Sequence, residues 1–550
     1  MGTARRRTIA ALAASTPAAR QGRAAPPAGH VARNTAIFSI ATGLSRIAGL
    51  VREIVAARFF GTFPSYSAFT IAFQVPNLVA NLFANAALSA AFVPVFTELL
   101  QEGRRRQALR LASTVFWIML IALGAITAGF ILAAHVVMPV FIAGNAVSGS
   151  LTAGLAQVLF PVVLLLGLNG LLVGILQSYD RFGIAAISPL VWNAVIVVGV
   201  IVLHSSLHSD HGIYAYAIAI LAATVVQLMM AGAALRQIDY RLGFHLDWRD
   251  PRVKQVFVLM LPVTIGLGIV NLDQLINSVF GTLVHTTPAG QAPGAINYAF
   301  RIYMLPQGVF SVAVATVLFP TMSRQASRRD AGAMRRALAI GMRQINLLLI
   351  PSAAFLMVLS TPVVRLIYQH GSFSPTSTHL TSIALFWFAI SLPFGGINLL
   401  LTRTFFALKR PWIPTGLAAM NIVVDIIVSV ALYKPLGIAG LVLGTAIANA
   451  VMTGLQLRRL RAGFNGRLEG RQTTMITVRI AAAAALLAGV SWVVWDLLDH
   501  LLGRTIGAQI VSVGAAACAG GFIYTRAVLA MRIPEARQVR SLVLGRLGRA

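Results

Sequence analysis

Residues 152–178 read TAGLAQVLFPVVLLLGLNGLLVGILQS, a run that contains no Asp, Glu, Lys or Arg. A helix of about 20 apolar residues crosses the hydrocarbon of a bilayer, so this stretch is long enough to span one and too apolar to cover a soluble domain. The pattern recurs on both sides of it, at 35–58, 66–96, 111–138, 184–204, 212–235, 256–284, 294–320, 341–367, 379–407, 412–432, 436–457, 477–498 and 506–531. The expectation is an all-α polytopic membrane protein with about fourteen crossings. Composition agrees, because 57% of the 550 residues are hydrophobic and 11% are charged, where a soluble chain carries about 25%. Several runs exceed the bilayer thickness, so tilts or kinks are expected, with Pro76, Pro161, Pro262 and Pro306 as kink positions. The single cysteine, Cys518, excludes a disulfide framework and a Cys-based metal cluster.

The net charge of +29 comes from 44 Lys and Arg against 15 Asp and Glu. In a soluble protein this would suggest nucleic acid; in a chain this apolar it points to lipid phosphate and topology, with no nucleic-acid partner. Every second connection is basic: the head with Arg5 to Arg33, then Arg104 to Arg106, Arg181, Arg249 to Lys254, Arg324 to Arg336, Lys409 and Arg410, Arg458 to Arg471, and the tail after Arg532. Connections 139–151, 205–211, 285–293 and 368–378 contain no Lys or Arg, and Lys434 and Arg504 are the exceptions. The positive-inside rule then places both termini in the cytoplasm and requires an even number of crossings. Head residues 1–33 contain no apolar run of the signal-peptide kind and read as a disordered basic extension; a transit peptide is the other reading. The tail is 532–550.

An internal repeat divides the remainder. Ala72-Phe73, Val93-Pro94 and Ala108-Leu109 recur as Ala299-Phe300, Phe319-Pro320 and Ala337-Leu338, and Asn193 recurs as Asn421. The offsets stay between 226 and 229. An even number of crossings per copy gives both copies one orientation, related by an axis along the membrane normal. Two six-helix lobes at 34–240 and 250–460 would face each other across a cavity, followed by a helix pair at 476–531.

Charges inside the apolar runs narrow the function. A guanidinium near the bilayer centre costs about 2.5–3.5 kcal/mol on the insertion scale, so Arg46, Arg52 and Arg301 need a partner or a task. Arg46 continues a polar stripe with Ser39 and Thr42, and the second run supplies Asn77, Asn81 and Asn85 at four-residue spacing. These five are read as cavity lining, with interhelical hydrogen bonding as the equal alternative. For Arg52 an ion pair with Glu53 is the plain alternative; Arg46 and Arg301 have no acid within one turn of their own helices. The clear intramembrane acids are Glu53, Asp273 and Asp425. A cavity with spare arginines attracts an anion, and the planar guanidinium suits phosphate. No GxxxxGK[ST], HExxH or Cys/His cluster occurs, so no catalytic residue is assigned.

The blocks Ser45-Arg46-Ile-Ala-Gly49-Leu-Val-Arg52-Glu53, Pro76-Asn77-Leu, Ala91-Phe-Val-Pro94, Gln177-Ser-Tyr-Asp-Arg181-Phe, Asn297-Tyr-Ala-Phe-Arg301 and Gly440-Leu-Val-Leu-Gly-Thr445 resemble the MurJ/MviN family of lipid II flippases over about residues 34–460. The resemblance implies a transporter of the multidrug/oligosaccharidyl-lipid/polysaccharide superfamily, not an enzyme, in the bacterial plasma membrane. Its substrate would be a lipid-linked diphosphate carried from inner to outer leaflet by alternating access, for peptidoglycan synthesis and cell shape. Arg46, Arg52 and Arg301 fall on the family's diphosphate-binding cations, and the last helix pair on its lipid-tail groove. It implies a candidate Na⁺ site at Asn277, Asn421, Asp425 and Thr445, with Asp273 nearby, and no other cofactor. Partners would be the substrate and membrane lipids, with the chain a monomer and the cell-wall synthesis machinery a candidate associate. Family charges are replaced here by Ser67, Ala80, Asn81, Asn85, Phe300 and Met304. These departures keep two alternatives open, an exporter of another lipid-linked glycan or amphipathic molecule and a non-transporting scaffold for envelope assembly.

Overall fold

The computed structural model describes residues 28–536 except 84, 180, 182, 206–211, 239–242, 287 and 465–468; side chains of 28–42, 81–90, 261–263, 265–271 and 273 also lie outside the description. The described residues form helices and turns, with no strand among them. In chain order the helices are α1 (Ala28–Phe60), α2 (Pro64–Phe83), α3 (Asn85–Gln101), α4 (Arg105–Val137), α5 (Gly149–Leu159), α6 (Pro161–Ser178), α7 (Gly183–His204), α8 (Gly212–Leu235) and α9 (Pro251–Gly281). They continue as α10 (Ala292–Pro306), α11 (Val312–Ser327), α12 (Ala331–Val358), α13 (Ser360–Tyr368), α14 (Pro375–Ala407), α15 (Trp412–Leu436), α16 (Ile438–Gly463), α17 (Gly470–Leu502) and α18 (Ile506–Ala530). Helix α1 begins at Ala28, inside the head expected to lack structure.

Eleven helical segments among the described residues are long and apolar enough to cross a membrane. The other expected crossings coincide with α1, with α2 and α3, and with α9, which carry Arg52 and Glu53, Gln74 and Asn77, and Gln274 and Asn277. Helix starts follow local chemistry: Asp250 accepts from the Arg252 amide at 2.8 Å, Asp330 from Ala333 at 2.9 Å and Ser374 from Ser377 at 3.1 Å, each satisfying an amide with no intrahelical acceptor. Pro161 opens α6 directly after α5, and Pro306 ends α10 at a π-helical turn, Gln307–Ser311. Pro76 and Pro262 lie within α2 and α9. Leu359 separates α12 from α13, with Pro362 in the first turn of the new helix.

Helices α1–α8 form one group, in which α1 packs on α7, α7 on α8 and α3 on α6. Helices α10–α16 form the second, with α14 packed on α10, α12 and α16. Between them, α9 packs on α2 and α3 of the first group and on α15 of the second. The repeat is visible in backbone detail. Gly103 (φ 75°) closes α3 with amides of Gly103 and Arg104 donating to Leu100 and Leu99, and Arg329 (φ 56°), 226 residues later, closes α11 with amides of Arg329 and Asp330 donating to Ala326 and Gln325.

The α17–α18 pair is fastened to α12 by a buried charge cluster. Arg343, 4% exposed, pairs with Glu469 before α17 and with Glu535 after α18, the latter at 3.2 Å. Asn346 donates to Thr477 at 3.0 Å and the Tyr524 hydroxyl to the Leu347 carbonyl at 2.7 Å. A charge this buried is tolerable only with its partners in place, so the pair is fixed to the second group and not merely adjacent to it.

Candidate functional site

At the end of the bundle whose connections lack Lys and Arg, the two groups meet through neutral hydrogen bonds. Thr62 donates to Gln291 Oε1 at 2.9 Å and lies 2.7 Å from the Ser377 hydroxyl. The Gly294 amide donates to Ser67 at 3.2 Å, the Ala143 amide to Thr282 at 3.0 Å, and the Ser372 amide to the Arg58 carbonyl at 2.8 Å. Beneath them the Tyr66 and Tyr298 rings stack at 4.5 Å, and Tyr368 and Phe373 close around Tyr298. Gly290 (φ 77°) passes so close to the first group that a Cβ there would lie 2.6 Å from the Ala146 carbonyl oxygen. At the basic end, a partly exposed pair of Arg252 and Glu102 at 3.6 Å joins α9 to the first group.

Under the tyrosines sits Glu53, 3% exposed. Arg52 Nη2 reaches its Oε1 at 2.5 Å from the same helix, and Arg301 Nε reaches the same oxygen at 3.4 Å from α10, in the other group. Arg52 also lies 5.0 Å from the Trp192 ring centroid, a cation–π contact that helps hold it out of water. Arg301 has no acid within one turn of its own helix, and its carboxylate comes across the interface instead, which same-helix spacing cannot reveal. Two guanidiniums around one carboxylate leave one positive charge in excess, and Arg301 keeps 34% of its side chain exposed.

Arg46 lies apart from this cluster. It is exposed, and a Cβ added at Gly308, in the π-helical turn after α10, would meet its Nη1 at 2.5 Å. The three arginines thus form a pair about Glu53, one mostly buried and one half-buried, and an outlying third. Two small cavities flank Arg301 and Asn297. One is lined by Arg52, Glu53, Tyr66 and Tyr216, the other by Gln74, Gln274, Asn277 and Thr445. They offer about 20 and 40 Å³ for water-sized molecules, room for a little water and not for a sugar diphosphate.

Beyond the second cavity, Asn277 Nδ2 donates to Asp425 Oδ2 at 3.3 Å and to Thr445 at 3.2 Å, and Ser429 donates to Asp425 Oδ1 at 3.4 Å. Asp425 is fully buried. Asn421 is not joined to them by a hydrogen bond, and its Nδ2 is buried without an acceptor. Three of the four expected ligands therefore converge, together with Ser429, which the sequence reading did not name. Asn77 is half-buried on α2. Side chains of Ser39, Thr42, Asn81, Asn85 and Asp273 lie outside the described residues. At three of the positions read as departures from the family's charges, Ser67 accepts the Gly294 amide, Phe300 packs edge-on to Phe388 at 5.7 Å, and Met304 is exposed.

A bundle of apolar helices in two repeated groups, with buried guanidiniums where they meet, defines a multi-pass membrane transporter. Comparison agrees at the level of fold: a solved multidrug resistance MATE family transporter of the MOP superfamily, in an inward-facing conformation, is similar with TM-score 0.65 at 17% identity, covering 76% of this chain and 94% of that one. A structure of lipid II flippase MurJ in an inward closed conformation gives TM-score 0.72 at 22% identity, covering 90% of this chain and 99% of that one. The family model for lipid II flippase MurJ matches residues 56–506. A probable lipid II flippase MurJ of Rhizobium meliloti is 31% identical over 82% of this chain and 85% of its own length, and the lipid II flippase MurJ of Burkholderia cenocepacia is 27% identical over 82% and 87%. The chain belongs to the MurJ lipid II flippase family, bacterial membrane transporters and not enzymes.

The close approach at Gly290 gives a test of the seal. Gly290→Ala would press a methyl on the Ala146 carbonyl, whereas Gly103→Ala carries the same left-handed strain (φ 75°) with nothing within 4 Å. With Cys518 replaced by Ser, maleimide labelling of a cysteine placed at the buried Val147 should be several-fold faster in Gly290→Ala than in Gly103→Ala; equal rates would show that this contact does not seal the bundle.

Proposed function

We propose that this protein flips lipid II, the undecaprenyl-diphosphate-linked peptidoglycan precursor, from the inner to the outer leaflet by alternating access. The supporting topology is about fourteen crossings with both termini in the cytoplasm, which makes the basic end cytoplasmic and the sealed end external. The observation that carries the reading is the shared carboxylate: Glu53 holds guanidiniums from both groups, and Arg301 remains partly accessible at 3.4 Å.

Arg46, exposed beside the π-helical turn, meets the diphosphate first. Inside, the substrate's phosphate oxygens compete with Glu53 for Arg301 and offer bidentate acceptors of higher charge. Exchange of Arg301 from Glu53 to phosphate breaks the ionic link between the groups while Arg52 and Glu53 stay paired on α1. The neutral hydrogen bonds at the external end, worth about 1 kcal/mol each, then part. Rigid groups rocking about one site break few backbone hydrogen bonds. The tail stays in lipid along α17 and α18.

Replacing Arg52 or Arg301 with Ala should lower lipid II translocation in vesicles at least about thirtyfold, the loss expected from truncating one partner of a charge pair; replacing the exposed Arg46 should lower it about tenfold, the loss of one charge-assisted contact to phosphate; each change should impair rescue of a flippase-depleted bacterium. Full rescue by all three variants would remove the site assignment. The uncharged Ser67, Phe300 and Met304 favour a second reading, export of another lipid-linked glycan; translocation of such a lipid in preference to lipid II would select it.

Sodium is the proposed coupling ion. Asn277, Asp425, Thr445 and Ser429 supply oxygen donors suited to a hard cation, provided the Asn277 amide turns its oxygen inward; amide orientation follows the hydrogen-bond network. Thr445 and Asn277 line the cavity that Arg301 also lines, so an ion there would act on the same helix contacts. Translocation that is stimulated by Na⁺ in wild type and indifferent to it in Asp425→Asn is the expected result; stimulation unchanged by the substitution would place the ion elsewhere.

A further inference from the structure

Arg504 breaks the charge alternation: it lies between α17 and α18, at the end where Lys434 is the other exception to connections without Lys or Arg. Its surroundings give a reason. With Arg365 of α13 it flanks Asp499, at 3.3 Å from Arg504 Nε and 3.9 Å from Arg365 Nη1. Asp499 is 7% exposed and its Oδ1 accepts no hydrogen bond, while the Arg504 side chain is 68% exposed. A polar cavity of about 330 Å³ opens on both arginines, and His370 and His379 also line it. Thr378 and Gln509, from the first turns of α14 and α18, complete it. Two helix N-termini, two guanidiniums and one carboxylate make this an anion-attracting site on two independent grounds.

Its neighbour is greasy. Helix α13 turns Arg365 and Thr361 to the polar cavity and Val363 and Ile367 to a second cavity of about 390 Å³, lined by Phe355, Leu487 and Ala517. One amphipathic turn of helix thus separates a slot for a hydrocarbon chain from a slot for an anion, the two halves of a phosphorylated lipid. Snorkelling to headgroups would explain an exposed arginine, but not a mostly buried Arg365 paired to a buried Asp499.

We propose that the Arg365–Arg504 cavity is an outer-leaflet station that takes the phosphate groups of the translocated lipid after it leaves the central site, with its chain against α13. This rests on the flippase reading for direction and substrate. Asp499 holds the two guanidiniums in place and keeps the site from binding its anion too tightly, so the lipid can depart.

The test uses the full chain in phosphatidylcholine nanodiscs, with Arg301→Ala disabling the central site. Retention of undecaprenyl diphosphate, phosphatidylglycerol and inorganic diphosphate is measured by native mass spectrometry. Undecaprenyl diphosphate should be retained best, about tenfold less by Arg504→Gln and more tightly by Asp499→Asn. Arg504 is exposed, so its substitution does not threaten folding. Unchanged retention in Arg504→Gln, or weaker retention in Asp499→Asn, overturns the proposal; so does preference for phosphatidylglycerol, which would make the cavity a bulk-lipid site, or for inorganic diphosphate, which would show that the chain is not read. Translocation measured separately in the Arg46, Arg52 and Arg301 single variants distinguishes the two failures: if it persists there, the central reading falls while the Arg504 result stands.

Discussion

One carboxylate between two guanidiniums, in a place that water barely reaches, governs how the two helical groups can sit. An isolated charge at the depth of Glu53 would cost several kcal/mol, and it is tolerated because Arg52 and Arg301 bring the opposite charge to it. Arg52 is its neighbour on α1, so that pair travels as a unit. Arg301 belongs to α10, so its distance from Glu53 is a distance between the groups. Losing that contact without a replacement anion leaves a buried carboxylate with less compensation, which opposes opening of an empty protein.

The surroundings make this link matter. Tyr66, Tyr216 and Tyr298 are buried beside it, and a site lined by rings has low dielectric and strong charge interactions. Above, the seal consists of hydroxyl, amide and backbone groups, individually weak and therefore separable. Ser67 illustrates the economy of charge. The serine needs no countercharge, accepts one amide from Gly294 and adds to the seal.

Much of this was legible because bilayers penalise exceptions. The apolar runs and alternating basic connections pointed to an all-helical transporter, and the constant repeat offset reappears as matching turns at Gly103 and Arg329. Arg52 and Arg301 stood out by the cost of burying them. What could not be read was which side chains meet across helices. Glu53 serving Arg301, Arg46 approaching Gly308, and Ser429 joining Asp425 are all matters of packing between segments. Pro362 stands beside the break at Leu359 but was not among the expected kink positions, and Asn421, one helical turn from Asp425, turned out not to share a hydrogen bond with its expected companions. Arg504 was legible as an anomaly, but its pairing with Asp499 and the cavity beside it needed coordinates.

The central claim is that substrate phosphate displaces Glu53 from Arg301 and so releases the external end. The direct measurement is the distance between spin labels at Phe63 and Thr376, exposed residues of the two groups at that end, in protein with Cys518 replaced, reconstituted with and without lipid II. The account predicts a short distance without lipid, a longer population when lipid II is added, and a longer population without lipid in Glu53→Gln, where the ionic link is already gone. A Glu53→Gln protein that stays as closed as wild type, together with a wild type unmoved by lipid II, would contradict it.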